Sequence, residues 1–321
     1  MLIGIITITL KFINRKKYLS FVKQSENVET VQRQVFKDLQ SSLKKDNISY
    51  EEFKAQIPVS NYDDWASDVD EQIKTKTAVL CPDCTRYQPT SGSSGKRKLI
   101  PYSKKLLSEF DNASSVWIYE ILERYSRVIF GKQYWSLSWL PDKDRADIGV
   151  VDDSELFGFW KKIIMKQVFC VPKKVSFASS SIQSMRATAL YLLACHNLRL
   201  ISVWSPTFLS SLINLIIKEK KELSEILING KWKEDFVEIS GLKAPKNKNV
   251  GKMIKNLNKE NEIYLFQRIW PKLTLISCWD TGLSHEPSRE LKRRFPTVSF
   301  QGKGLWSTEA VVTIPLQNKY V

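Results

Sequence analysis

Residues 198–216, Leu-Arg-Leu-Ile-Ser-Val-Trp-Ser-Pro-Thr-Phe-Leu-Ser-Ser-Leu-Ile-Asn-Leu-Ile, decide the fold. Leu198–Trp204, "LRLISVW", is a short apolar run rich in β-branched and aromatic residues, and it reads as a buried strand. Ser205 and Pro206 then offer a helix cap and a residue favoured at the first helical position. The helix "TFLSSLINLIIKEK" follows, and another ends near Asn229-Gly230. Upstream, Met185–His196 has a helical pattern. Downstream the motif recurs: Leu273–Trp279, "LTLISCW", is a second buried strand, followed by Thr281-Gly282 and a helix through Phe295. Val298–Gln301 starts a third strand and Ala310–Pro315, "AVVTIP", a fourth. Such alternation predicts a mainly parallel α/β sheet, in which ligands gather at the loops leaving the carboxyl ends of strands.

The sequence before this region is less regular. Val31, Val35, Leu39 and Leu43 recur every four residues, as on one face of an amphipathic helix. Ser103 can cap a helix carrying Leu106, Leu107, Phe110, Trp117, Ile118, Ile121 and Leu122. Tyr134–Leu140, "YWSLSWL", alternates and stops at Pro141, so a strand is predicted. Lys243–Glu262 is rich in lysine and asparagine and is expected to be a mobile surface insertion. Met1–Leu10 is too short to span a bilayer, and its cations follow the apolar run, the reverse of a secretory signal. It reads as a packed N-terminal segment.

Composition narrows the chemistry. A chain of 321 residues with ordinary apolar content can bury a full core. The net charge of +15 comes mostly from scattered lysines, with runs at Lys218–Lys221, Lys243–Lys259 and Lys292–Arg294. It suits a polyanionic small molecule as well as nucleic acid, and no nucleic-acid motif accompanies it. The five cysteines, an odd number scattered through a large chain, fit free thiols in a reducing cytoplasm. Cys81-Pro-Asp-Cys84 has metal or redox spacing, but no second pair or nearby histidine completes a zinc site. His196 and His285 are the two histidines, and neither lies in a hydrolase motif. His196 reads as a helix-end residue and His285 as a surface residue in a first turn.

Residues 90–101, "TSGSSGKRKLIP", have the chemistry of a phosphate loop. Glycine admits close approach of backbone N–H groups, hydroxyls donate further, and cations neutralise charge. The spacing is not that of a Walker A loop, because Gly92 and Gly95 stand too close and no Ser or Thr follows Lys96. Composition alone leaves a flexible linker equally open.

The loop resembles the ATP loop of adenylate-forming enzymes, and more narrowly that of the auxin-responsive promoter family of acyl-acid amido synthetases. The resemblance covers nearly the whole chain. "FKAQIPVSNYDDW" precedes the loop, "VWSPTFLSSLINLI" resembles the family's strand-to-helix segment, and "CWDTGLSHEPSRELKRRFPTVSFQGKGLWSTEAVVTIPL" carries a Thr-Gly turn and a Ser-Thr-Glu motif. The loop is a residue shorter than in many members, and Trp306 stands where a smaller residue or tyrosine is common.

The resemblance implies the large N-terminal domain of the adenylate-forming fold, with mixed and parallel sheets flanked by helices. Within residues 1–321 it implies N-terminal helices and strands over 1–89, the phosphate loop at 90–101 and a nucleotide-carrying α/β subdomain over 185–316. It implies a two-step reaction. A carboxylic acid attacks ATP to form an acyl-adenylate, and an amino acid amine then displaces AMP. By motif match, Ser91, Gly92, Ser93, Ser94 and Gly95 would hold the β- and γ-phosphates with Lys96 or Lys98. Thr308, in Ser307-Thr308-Glu309, would bond the α-phosphate, Glu309 would help hold Mg²⁺, and Thr281 and Gly282 would lie against the adenine.

Family members also carry a ribose-binding aspartate and a small C-terminal lid domain bearing a lysine, and neither is found within residues 1–321. The expectation is a truncated synthetase or half of a split enzyme that meets a separately encoded domain. Two other readings are a non-catalytic nucleotide- or acyl-adenylate-binding remnant and, last, a basic nucleic-acid-binding protein. The favoured partners are small-molecule acid and amine, in the cytoplasm, with neither nucleic acid nor membrane.

Overall fold

A computed structural model describes residues 2–81, 83–90, 98–136, 167–316 and 319–320. Helix α1 (Leu2–Ser25) is followed by α2 (Val28–Ser42), α3 (Tyr50–Gln56) and α4 (Ala66–Thr75). Ser49 and Glu52 form a reciprocal capping box at the start of α3, the arrangement that satisfies two orphan N–H groups together. A hairpin of β1 (Cys84–Pro89) and β2 (Leu99–Ser103) leads into α5 (Lys104–Arg124). The Ser103 hydroxyl accepts from the Leu106 N–H at 3.0 Å, so the expected cap is present.

The main sheet holds four parallel strands in sequential order: β3 (Lys132–Trp135), β4 (Leu198–Ser202), β5 (Leu275–Cys278) and β6 (Ser299–Gly302). Between them run α6 (Ser181–Ala194), then α7 (Pro206–Lys218), α8 (Lys220–Asn229), α9 (Lys248–Ile254) and α10 (Glu262–Ile269), then α11 (His285–Arg294). Strands laid down in chain order with right-handed crossovers place every crossover helix on one face. That face is buried accordingly: Ile201, Val203, Ile276 and Cys278 join one cluster with residues of α6 to α11. The opposite face needs other cover, and α1 and α5 supply it. Leu200 and Leu275, one residue out of phase with the first set, pack on Leu10, Trp117, Ile118, Ile121 and Leu122. Both faces are buried, which is why these strands read as apolar runs and not as alternations.

Local signals set the element ends. Ser205 caps α7 with Pro206 at its first position, and Gly230, at φ +71°, closes α8 in the left-handed conformation. Cys195 caps the end of α6 with His196 just beyond it, and an exposed His285 opens α11.

Four expectations need correction. Ala310–Pro315 is not a fourth strand of the parallel sheet. Val311 makes an isolated antiparallel bridge to Trp306, and only Pro315–Leu316 is a strand (β7), paired antiparallel with Lys319–Tyr320 (β8). The fourth parallel strand is β3, which ends at Trp135, and residues 137–140 of the expected strand lie outside the described residues. Lys243–Glu262 is not a loose insertion, because α9 inserts Val250 and Ile254, with Leu257 beyond, into the main core. Three apolar side chains at helical spacing outweigh the surrounding lysines, whose charges stay in solvent. Lastly, Val35, Leu39 and Leu43 are exposed. The face of α2 that is covered carries Phe36, packed edge-on against Tyr50 and Phe53, and Gln40, which donates to the Ile48 carbonyl. The N-terminal segment is packed as expected on one side only: Thr7, Leu10 and Asn14 are buried, whereas Ile5, Ile8 and Phe12 are exposed. Among the described residues no helix is long and apolar enough to cross a membrane.

Candidate nucleotide site

The carboxyl ends of β5 and β6 open into a recess of about 500 Å³, lined among others by Trp279, Thr281, Gly282, Lys303, Gly304 and Trp306. The recess lies outside the carboxyl ends of the strands, the side of an α/β sheet on which ligands gather. Thr281 and Gly282 are exposed at its rim. The Thr281 carbonyl accepts from the Ser284 N–H at 3.1 Å, starting a short 3₁₀ turn. Gly282 sits at φ +55°, and a Cβ there would meet nothing within 4 Å, so its backbone is open to the recess.

Trp279 and Trp306 give the recess flat apolar walls. Trp204 tilts against both, with ring centres 5.6 Å apart in each pair, and Trp117 meets Trp306 edge-on at 5.5 Å. Lys303 is buried among them at 4% exposure. Its ammonium lies 4.0 Å from the Trp204 ring centre and 4.9 Å from that of Trp117, within the range of cation–π attraction. Its backbone N–H donates to the Cys278 carbonyl at 3.0 Å, continuing the β5–β6 ladder. Burial pushes the Cys278 thiol up to about 11, against the opposing pull of the Lys303 charge.

Beyond Trp306 the chain reverses in the turn Ser307-Thr308-Glu309-Ala310. The Ser307 N–H donates to the Ala310 carbonyl at 2.9 Å, and the Ser307 hydroxyl accepts from the Glu309 and Ala310 N–H groups at 3.3 and 3.2 Å. The turn is tied to a distant part of the chain. The Tyr102 hydroxyl donates to the Thr308 carbonyl at 2.6 Å, and Tyr102 is buried, stacked on Phe110 with the Arg86 guanidinium 4.9 Å from its ring centre. Tyr102 lies on β2, immediately after the loop at 90–101.

That loop leaves and re-enters a closed hairpin neck. The Thr90 N–H donates to the Lys98 carbonyl at 2.9 Å, and the Leu99 N–H donates to the Tyr62 hydroxyl at 2.9 Å. Tyr62 belongs to the "FKAQIPVSNYDDW" segment, which gives that stretch a structural task. Ser91, Gly92, Ser93, Ser94, Gly95 and Lys96 lie outside the described residues. Lys98 is exposed, its ammonium 5.6 Å from the Tyr62 ring centre, and it does not line the recess.

Of the residues singled out in the sequence, Thr281 and Gly282 thus meet in one recess with Trp306, and Ser307, Thr308 and Glu309 form the next turn. Lys303 and Tyr102 were missed. The signal for Lys303 is the Gly302-Lys303-Gly304 triplet before the Ser-Thr-Glu motif: a Cβ on Gly304 would lie 1.9 Å from the Thr313 carbonyl oxygen. Nothing local marks Tyr102, whose partner is Thr308. Among the described residues no cluster of three or more His, Cys, Asp or Glu side chains gathers to hold a metal.

No curated protein matches the sequence. Two of the solved structures similar to this chain are acyl acid amido synthetases by their descriptions. One is described as "GH3.15 acyl acid amido synthetase", with TM-score 0.64, 17% identity, and coverage of 84% of this chain and 50% of that one. The other is "AtGH3.15 acyl acid amido synthetase in complex with 2,4-DB", with TM-score 0.65, 17% identity, and coverage of 84% and 49%. At this identity the likeness shows the fold, and the chain spans about half the length of these relatives. A family model described as "GH3 family N-terminal domain" matches residues 11–300. The chain therefore belongs to the GH3 family, within which it matches the N-terminal domain.

Proposed function

We propose that this chain is the nucleotide-binding part of an acyl-acid amido synthetase. It holds ATP while a carboxylate attacks the α-phosphate, releasing pyrophosphate, and the resulting acyl-adenylate gives an amide when an amino acid amine displaces AMP. The observation that carries this reading is the junction at the ends of β5 and β6. There the Thr281-Gly282 turn and Trp306 share one recess, and Tyr102 joins the Ser-Thr-Glu turn to the hairpin bearing the Ser/Gly loop.

Each part has a physical task. Indole walls at Trp279 and Trp306 suit a planar base, and the open backbone at Gly282 lets it approach. Ser91, Gly92, Ser93, Ser94 and Gly95 present N–H and hydroxyl donors to the β- and γ-phosphates, with Lys96 and Lys98 offsetting their charge. The Thr308 hydroxyl bonds the α-phosphate, and Lys303 adds positive potential from inside the recess wall. Catalysis of this kind is positioning and charge stabilisation, without covalent participation by the protein. Magnesium is held by one or two carboxylates and completes its shell with water and phosphate oxygens. Glu309, exposed on its turn, fits as such a single carboxylate. Bound there, Mg²⁺ would offset negative charge on the phosphates.

The solved relatives are about twice as long as the matched region. We assign the ribose-gripping aspartate and the lid lysine to a further domain, on the same or a separate polypeptide. Loss of one charge-stabilising donor costs on the order of 10²–10³ in rate, so this part alone is expected to be slow. The cytoplasm, which supplies ATP and keeps thiols reduced, is the proposed compartment.

Calorimetric titration of Mg·ATP into the protein and into a Ser93→Ala/Ser94→Ala variant tests the reading. Saturable binding, weakened about tenfold or more by the double substitution, is expected. Absence of binding to the folded wild-type chain would overturn it.

A further inference from the structure

We propose that a cavity at the amino-terminal ends of β4, β5 and β6 binds a small polyphosphate, of which inorganic pyrophosphate is the simplest. It lies at the opposite end of the sheet from the nucleotide recess and does not depend on the nucleotide reading.

The cavity holds about 470 Å³. The sheet fixes part of its lining. The Thr274 N–H donates to the Arg199 carbonyl at 2.9 Å, and the Ser299 N–H donates to the Thr274 carbonyl at 3.1 Å, so the entries of three adjacent strands stand level. Trp270 and Phe295, both buried, give the cavity an apolar side. The Trp270 indole N–H is committed to the Leu192 carbonyl at 2.9 Å, and the Thr274 hydroxyl to the Lys272 carbonyl at 3.1 Å. Neither is a donor left for a ligand.

The cations are. Arg127, from the 3₁₀ turn after α5, Arg199 on β4 and Lys272 just before β5 all line the cavity. No carboxylate is among the described residues that line it, and none of them pairs with these three cations. The Arg199 stem passes over Gly131, where a Cβ would lie 2.3 Å from the Arg199 Cγ, so packing directs the side chain. Its Nε is buried without a hydrogen-bond partner. A buried donor without an acceptor costs stability, and an anion in the cavity would supply that acceptor. Thr297 and Ser299, both exposed, add two hydroxyls that bond no other described residue.

This donor set selects the ligand. Three unpaired cations exceed what a single carboxylate neutralises, and the guanidinium fork matches the oxygens of a phosphate in a bidentate manner. A pyrophosphate brings two such groups and several negative charges. The apolar side lowers the local dielectric and strengthens the attraction.

The test is calorimetric titration of inorganic pyrophosphate into the whole chain at about 0.15 M salt, where diffuse attraction to a basic surface is screened. Saturable binding is expected, with citrate, a carboxylate anion of similar charge, binding about tenfold more weakly or not at all. Arg199→Gln, and separately Arg127→Gln/Lys272→Gln, should each weaken pyrophosphate binding about tenfold or more. Lys218→Gln/Lys221→Gln, which removes two exposed charges that do not line the cavity, should leave it unchanged, as should Ser93→Ala/Ser94→Ala. Four results would overturn the proposal: no binding to the wild-type chain, equal affinity for citrate, equal weakening by the Lys218/Lys221 pair, or loss in the Ser93/Ser94 variant alone. Arg127 and Lys272 are exposed, so their double variant decides the matter even if Arg199→Gln fails to fold.

Discussion

A Cβ placed on Gly304 would lie 1.9 Å from the carbonyl oxygen and 2.5 Å from the carbonyl carbon of Thr313. Both atoms are backbone and cannot move aside, so this glycine is demanded by close approach. Gly282 is the contrasting case, with a left-handed φ of +55° and open space around it. Gly304→Ala is expected to cost about 2–4 kcal/mol of stability and Gly282→Ala only about 1 kcal/mol, measured by urea unfolding. Equal costs would mean that the 303–305 segment shifts freely. Cys278 makes a second prediction at this scale. Its thiol titrates near an ordinary value of about 8.5 when unfolded but at about 11 when folded. Below the lower value it is protonated in both states and the folded state loses nothing. As pH rises from there toward 11 the unfolded chain ionises first, removing at most about 3 kcal/mol of stability. A Cys278→Ala variant should lose less stability than wild type between pH ~8 and ~11, and identical pH dependence would exclude Cys278 as the source.

Among the elements, the link between β2 and the Ser-Thr-Glu turn matters most for the proposed function. Tyr102 is held on both sides, stacked on Phe110 and carrying the Arg86 guanidinium, so its hydroxyl reaches the Thr308 carbonyl without freedom to wander. Tyr102→Phe keeps the ring and removes this bond. The expected result is a stability loss of about 1 kcal/mol, with Mg·ATP affinity falling several-fold because the turn is released from the hairpin. Calorimetry beside a thermal melt separates the two effects. Affinity unchanged from wild type would mean that the turn keeps its place by its own Ser307 bonds.

For the molecule as a whole, the consequence of sequential strand order is a sheet with one face covered by its crossovers and the other dependent on helices from earlier in the chain. α1 is half of that cover. It contributes Leu10 to the second cluster, and Lys11 and Lys17 pair with Glu123 and Asp111 of α5. A chain lacking residues 2–25 should therefore expose the Trp117–Leu122 face and melt early, with dye binding typical of exposed apolar surface. Unaltered melting would show that α5 alone suffices.

The buried strands at 198–204 and 273–279, the Ser205-Pro206 and Ser103 caps and the Thr281-Gly282 turn were all legible in the sequence. Each depends on neighbours a few residues away, through side-chain period, hydrogen-bond capping or backbone freedom. The stretch Ala310–Pro315 was not, since its apolar residues look the same whether they enter the sheet or pair back on Trp306. Nor was α9, whose three buried side chains sit within a lysine-rich run, nor the exposed side of α2. The Lys303 site among the tryptophans and the Tyr102–Thr308 bond were also beyond the sequence. Each joins residues far apart in the chain, and such proximity is settled only when helices and strands pack and choose which faces to bury. The sequence by itself determined the strand–helix alternation, its caps and the Thr281-Gly282 turn, and tertiary packing decided which residues distant in the chain meet.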